Sequence, residues 1–104
     1  MIKGLHHVGV AVSNLDEAVR IYKSVLGLEP NFIKEVKDQK IRVASFRLGG
    51  SSIELFEPTD AESTVAVFLA KRGEGMHHVA LAVDDIRGTL DSAQKAGAVA
   101  IDRE

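Results

Sequence analysis

Leu5-His6-His7-Val8-Gly9-Val10-Ala11-Val12 returns 71 positions later as Met76-His77-His78-Val79-Ala80-Leu81-Ala82-Val83. All four histidines of the 104-residue chain lie in these two copies. Self-similarity at a fixed offset marks a duplicated supersecondary unit, and the likeness runs past the quoted residues. The first copy continues into Ser13-Asn14-Leu15-Asp16-Glu17, where Ser13 or Asn14 can cap a helix and acids fill its first turn. Leu15, Ala18, Val19, Tyr22, Val25 and Leu26 then recur at helical spacing as one apolar stripe, and Gly27 supplies a left-handed stop. The second copy continues into Asp84-Asp85-Ile86, then Leu90, Ala93 and Ala96 on one face, with Gly97 as the stop. Each copy reads as strand, acid-capped helix, glycine.

Three strand-like runs follow the first helix: 32–36, 40–48 and 52–57. Gly49-Gly50 separates the last two and permits the positive backbone angles of a tight hairpin. Pro58 ends the third run. Residues 63–71 form a short amphipathic helix with Val65, Phe68 and Leu69 on one side, and Arg72-Gly73-Glu74-Gly75 leads into the second copy. The expected fold class is α+β: one domain over 1–104, built of paired β-α-β-β-β modules. Module 1–58 is followed by a linker helix within 59–75 and a partial module at 76–104. Ala98-Val99-Ala100-Ile101 begins another strand, and a full second copy needs two more, so the second module is expected to be incomplete at the C-terminus. An uncovered strand edge there invites association; a homodimer or strand-exchanged assembly is the expected partner state.

Composition removes several function classes. The formal net charge is −2, from 13 Lys and Arg against 15 Asp and Glu, and the cations are dispersed among acids. A phosphate-backbone binder needs a basic surplus, so nucleic acid is not an expected partner. Cysteine is absent, which removes disulfides and thiolate chemistry and is compatible with a cytoplasmic location. No apolar run approaches the roughly 20 residues of a membrane span, and the N-terminus lacks the layout of a signal peptide.

Strand side chains alternate between faces, and this separates the histidines. His6, Val8, Val10 and Val12 form a branched apolar wall suited to lie under a helix. Leu5, His7, Gly9 and Ala11 form the other face, where the small residues leave space in front of His7. The second copy divides the same way, His77 with Val79, Leu81 and Val83, and His78 with Ala80 and Ala82. His6 and His77 are therefore read as structural. His7 and His78, at the same point of two repeats and each facing a hollow, point to a pseudo-twofold site for a divalent metal of borderline softness. Such an ion also takes oxygen ligands. In Ser52-Ile53-Glu54-Leu55-Phe56-Glu57, Glu54 stands between apolar neighbours, where a carboxylate requires a cation or water. The metal ligands read from the sequence are His7, Glu54 and His78.

With these residues in hand, the chain resembles the vicinal oxygen chelate superfamily of glyoxalase I, extradiol dioxygenases and antibiotic-sequestering proteins. Within it, the stretch from Glu62-Ser63-Thr64-Val65 through Phe68-Leu69-Ala70-Lys71-Arg72-Gly73-Glu74-Gly75-Met76-His77-His78-Val79-Ala80, followed by Val83-Asp84-Asp85-Ile86, is similar to the methylmalonyl-CoA epimerase family. So are Leu5 to Val12 and Ile53-Glu54-Leu55-Phe56-Glu57-Pro58. The resemblance implies a divalent cofactor (cobalt, manganese, zinc or nickel) held by two histidines, a glutamine or glutamate and a C-terminal glutamate. Carried over by position these are His7, Glu54 and His78, while the fourth has no counterpart in this chain.

The resemblance also implies inversion of an acyl-CoA substrate, the (R) and (S) forms of methylmalonyl-CoA, by proton transfer through an enolate. Carboxylate bases are expected on such a site, one of them on the run 40–48. That run holds Arg42, Ser45 and Arg47 but no acid, so the catalytic bases stay unassigned. Lys71 and Arg72 are candidates to meet the coenzyme A tail. Three alternatives share the same residues: a glyoxalase I-type isomerase, an iron(II) oxygenase with a two-histidine, one-carboxylate triad, and a non-catalytic, truncated binding module.

Overall fold

The computed structural model describes residues 2–97. The strand expected at 98–101 lies outside them. The elements are β1 (Ile2–Ala11), α1 (Leu15–Leu26), β2 (Phe32–Val36), β3 (Ile41–Leu48), β4 (Ser51–Pro58), α2 (Thr64–Arg72), β5 (Gly75–Val83) and α3 (Ile86–Lys95). The five strands form one mixed sheet in the order β2-β3-β4-β1-β5. β4 runs parallel to β1, whereas β5 runs antiparallel to it on the other side. The two copies of the repeated phrase are thus neighbouring strands, running in opposite directions.

Local chemistry sets the boundaries. Asn14, not Ser13, caps α1, its side chain accepting from the Glu17 N–H at 3.1 Å, and Gly27 closes the helix with φ 69°. Ser63 caps α2 and Asp85 caps α3. Leu48 pairs with Ser51 across Gly49-Gly50, and Gly49 takes φ 62°, the left-handed angle that a II′ hairpin places at its first turn position. β3 begins one residue later than the run 40–48 predicts. Lys40 adopts a left-handed conformation, φ 56°, at the end of the turn Lys37–Gln39.

The sheet has two different faces. On one, α1 packs Leu15 and Val19 onto Val12, Ala44, Phe46 and Leu55, with Val10 and Ile53 at the margin. On the other, Ala11, Ile41, Val43 and Phe56 pack with Val65 of α2. Alternation along β3 and β4 sends successive residues to opposite layers, so the cluster beneath α1 and the cluster beneath α2 share strands without sharing side chains. Glu57 ties the α1 layer together: its carboxylate accepts the Leu15 N–H at 2.8 Å and an Arg42 N–H at 3.2 Å.

A second carboxylate couples the two repeats. Glu74, just before β5, accepts both the backbone N–H and the hydroxyl of Ser13, at 2.8 and 2.7 Å. These bonds, the backbone one first, hold its carboxyl below the ordinary carboxylate value. A carboxylate with a depressed folded-state pKa binds fewer protons folded than unfolded, so its contribution is present above the unfolded pKa and is lost as pH falls through the folded one. Glu74→Gln is therefore expected to lower stability near pH 7 and to matter progressively less in acid. Urea denaturation of both proteins at pH 7 and pH 3 checks this; a gap that widens in acid contradicts it. Among the described residues, no helix is long and apolar enough to cross a membrane.

Candidate metal and ligand site

Gly9 is the pivot of the site. Its neighbour across β4 is Glu54 and its neighbour across β5 is His78, while His7 lies two residues away on the same strand. Three residues separated by as much as 71 positions thus meet over one glycine. His7 Nε2 stands 3.0 Å from His78 Nε2 and 3.7 Å from Glu54 Oε1. A Cβ on Gly9 would lie 2.3 Å from His78 Cε1. The space that the glycine leaves is therefore occupied by the imidazole of the adjacent strand, rather than lying open before His7.

These side chains line a cavity of about 400 Å³. Phe32, Val36, Ile41, Val43, Phe56 and Val65 give it an apolar wall, and Lys34 and Gln39 add polar groups. Glu54 is the carboxylate of this lining among the described residues. The cavity face of β3 presents Ile41 and Val43, in line with the lack of an acid in run 40–48. Phe32, Lys34 and Gln39 had no distinguishing signal in the sequence, because nothing in a short strand and turn shows which neighbour they will face.

His6 and His77 are not where strict alternation puts them. The β1–β5 register passes from Leu5↔Leu81 to His7↔Ala80, and from Gly9↔His78 to Val10↔Met76. His6 is thus an extra residue on β1 and His77 an extra residue on β5. A bulge of this kind leaves two residues opposite one and re-aims the side chain. His77 joins the lining of the main cavity, and His6 lines a smaller notch with Ser45 and Glu54. His77 packs edge-on to Phe68 of α2, whereas His6 is exposed. Both bulges fall at the same point of the repeat. The sequence signal for them is the histidine doublet itself, present at both copies.

The four rings form a series. His6 Nδ1 is 2.7 Å from His7 Nδ1, and His77 Nδ1 is 2.9 Å from His78 Nδ1, with the Nε2 contact joining the two halves. Burial, and then the like charges that His7 and His77 would carry, push the His78 pKa below its ordinary value, with Glu54 opposing. Both effects favour the neutral imidazole of His78, the form that keeps a lone pair on the ring.

The donor set suits a borderline divalent ion. His7 and His78 would supply two imidazole nitrogens to it, their Nε2 atoms 3.0 Å apart. The carboxylate is less advanced. Among the described residues, no three His, Asp or Glu side chains stand preassembled in metal-holding geometry, and Glu54 Oε1 lies 3.7 Å from His7 Nε2.

The sequence profile described as Glyoxalase/Bleomycin resistance protein/Dioxygenase superfamily matches residues 6–104, and the chain belongs to that superfamily. Within it, the chain falls in the methylmalonyl-CoA epimerase family. It is 35% identical over 99 residues to an ethylmalonyl-CoA/methylmalonyl-CoA epimerase of Cereibacter sphaeroides, covering 94% of this chain and 74% of that protein. It is 37% identical over 99 residues to the uncharacterized protein YqjC of Bacillus subtilis, covering 95% and 71%. A Streptomyces coelicolor methylmalonyl-CoA epimerase, solved with 2-nitronate-propionyl-CoA, superposes with a TM-score of 0.90 at 29% identity, covering all of this chain and 79% of that one. The chain spans about half the length of the mitochondrial epimerases of human, cattle and mouse that it also matches.

Proposed function

We propose that this chain carries the site of a metal-dependent epimerase that interconverts the (R) and (S) forms of methylmalonyl-CoA. The observation that carries this reading is the convergence of His7 and His78 at 3.0 Å, with Glu54 beside them, in the lining of a cavity large enough for an acyl group. His7, His78 and Glu54 are the residues that would hold the ion. When bound, a divalent ion supplies a Lewis acid for the charge that develops on the substrate oxygens as the α-proton leaves.

The rest falls to the protein. Phe32, Val43, Phe56 and Val65 give the reacting carbon an apolar wall, beside which electrostatic contacts are less screened than in open water. Lys34 places a cation at the cavity for the substrate's carboxylate. β3 brings no acid to the cavity, so the groups that move the proton are not supplied by that strand. A homodimer belongs to the same reading, because β5 is an edge strand among the described residues and exposes Met76, Val79 and Leu81; sedimentation velocity tests it, and a monomer at micromolar concentration speaks against it.

The deciding experiment follows hydrogen–deuterium exchange at the acyl α-carbon of methylmalonyl-CoA in deuterated buffer. The expected result is exchange that needs added cobalt, stops with chelator, and falls by on the order of a hundredfold or more in His7→Ala. Exchange that ignores both metal and chelator overturns the reading. A second reading, a metal-free binding module, is favoured by the lack of a preassembled three-residue metal group among the described residues. It predicts that the purified chain carries no stoichiometric divalent ion and takes none up.

A further inference from the structure

The two outer histidines do no work in the epimerase reading, although each is placed by a bulge at the same point of its repeat. We infer that His77, and to a smaller extent His6, are positioning residues that fix His78 and His7 in the tautomer whose Nε2 lone pairs face the shared centre. This inference rests on the metal reading of that centre.

A neutral imidazole carries one ring proton and one lone pair. For Nε2 to offer the lone pair to an ion, Nδ1 must carry the proton and pass it to an acceptor. Metal-bound histidines ordinarily find a carboxylate or carbonyl for this purpose. In this chain the atom facing His78 Nδ1 is His77 Nδ1 at 2.9 Å, and the atom facing His7 Nδ1 is His6 Nδ1 at 2.7 Å. With His77 and His6 protonated on Nε2, each inner ring donates outward and turns its bare Nε2 inward. The two Nε2 atoms then converge at 3.0 Å.

Without the bulges the doublets could not do this. On a regular strand, adjacent side chains point to opposite faces, and the outer ring would lie behind the sheet. The register shifts at His6 and His77 bring each outer ring to its neighbour's side. The halves are unequal in support. His77 is half-buried, and its ring packs edge-on to Phe68 of α2 with centroids 4.9 Å apart. His6 is exposed, and the ring contact it makes is with His7. A held acceptor fixes its donor better than a loose one, so His77 carries the larger share.

The test is cobalt(II) titration of the intact chain and of three variants, each checked for folding by circular dichroism. His77→Phe keeps a ring against Phe68 but removes the acceptor, and is expected to weaken cobalt binding about 10- to 100-fold. His77→Asn puts an oxygen close to the place of Nδ1 and is expected to recover most of the affinity. His6→Phe is expected to lose less than His77→Phe. In the zinc-loaded chain, the proton on His78 Nδ1 should give a slowly exchanging NMR signal in wild type and in His77→Asn, but not in His77→Phe. Equal cobalt affinity in wild type and His77→Phe, or loss in His77→Asn as deep as in His77→Phe, overturns the positioning role while leaving the metal site standing. A wild-type chain that binds no cobalt overturns the metal reading, and this role with it.

Discussion

Replacing Gly9 with alanine is expected to remove metal binding by on the order of a hundredfold or more while the protein stays folded. The added Cβ would sit 2.3 Å from His78 Cε1 and 2.7 Å from both ring nitrogens, closer than real atoms approach. What yields is the ring, because Gly9 does not hold a left-handed backbone angle and alanine fits the strand. In a strand interior, alanine also lacks glycine's entropic cost of roughly 0.5–1 kcal/mol, which offsets part of the disturbance. Once the His78 ring swings off Gly9, it loses its 3.0 Å contact with His7 Nε2 and its 2.9 Å contact with His77 Nδ1. Cobalt titration beside a thermal melt reads both halves of the expectation. A Gly9→Ala chain that takes up cobalt like wild type would mean that the ring does not need the space over this glycine.

The same glycine shows where sequence reading reached and where it stopped. Gly9 and Ala11 could be recognised as small residues beside His7, and the repeat placed a second histidine in the partner copy. The duplicated strand-helix-glycine pattern, the caps at Asn14 and Asp85 and the Gly49-Gly50 hairpin are all local, and local chemistry is written in neighbouring residues. The occupant of the space over Gly9 was not. It depends on β1 lying between β4 and β5, in a register that sets both Glu54 and His78 against one residue, and pairing between distant strands leaves no mark on either strand alone.

Alternation does not place the His6 and His77 rings, for a sharper reason. Alternation assigns a face only while each residue has one partner, and a single inserted residue reverses the rule from that point. Lys40 is a similar case on a smaller scale. A left-handed lysine at the end of a turn cannot be told from the first residue of a strand by residue type, so β3 starts at Ile41. Glu54 illustrates the converse. Its face was legible from Leu55 and Phe56 on either side of the alternation, whereas its distance from the histidines came only from the sheet order.

Glu54 and Leu55 are adjacent in sequence and are expected to give opposite phenotypes. Leu55 is fully buried beneath α1 among Leu15, Ala44 and Phe46. Leu55→Ala is expected to cost about 2–5 kcal/mol, the removed methyl groups plus the cavity they leave. Against a total stability of roughly 5–15 kcal/mol for a domain, this lowers the melting temperature by at least about 8 °C, at about 4–8 °C per kcal/mol for a chain near this size. The folded fraction should bind cobalt as wild type does, because no Leu55 atom lines the cavity. Glu54→Ala does the reverse. Its side chain is 18% exposed and faces His7 across 3.7 Å, so the metal-free chain loses little stability while cobalt affinity falls by on the order of tenfold or more. Denaturation and cobalt titration on both variants form a two-by-two comparison whose diagonal pattern follows from alternation alone. If Leu55→Ala weakened cobalt binding in the folded protein as much as Glu54→Ala, the two layers of the sheet would be mechanically coupled, and the separation between what folds this chain and what makes its site would fail.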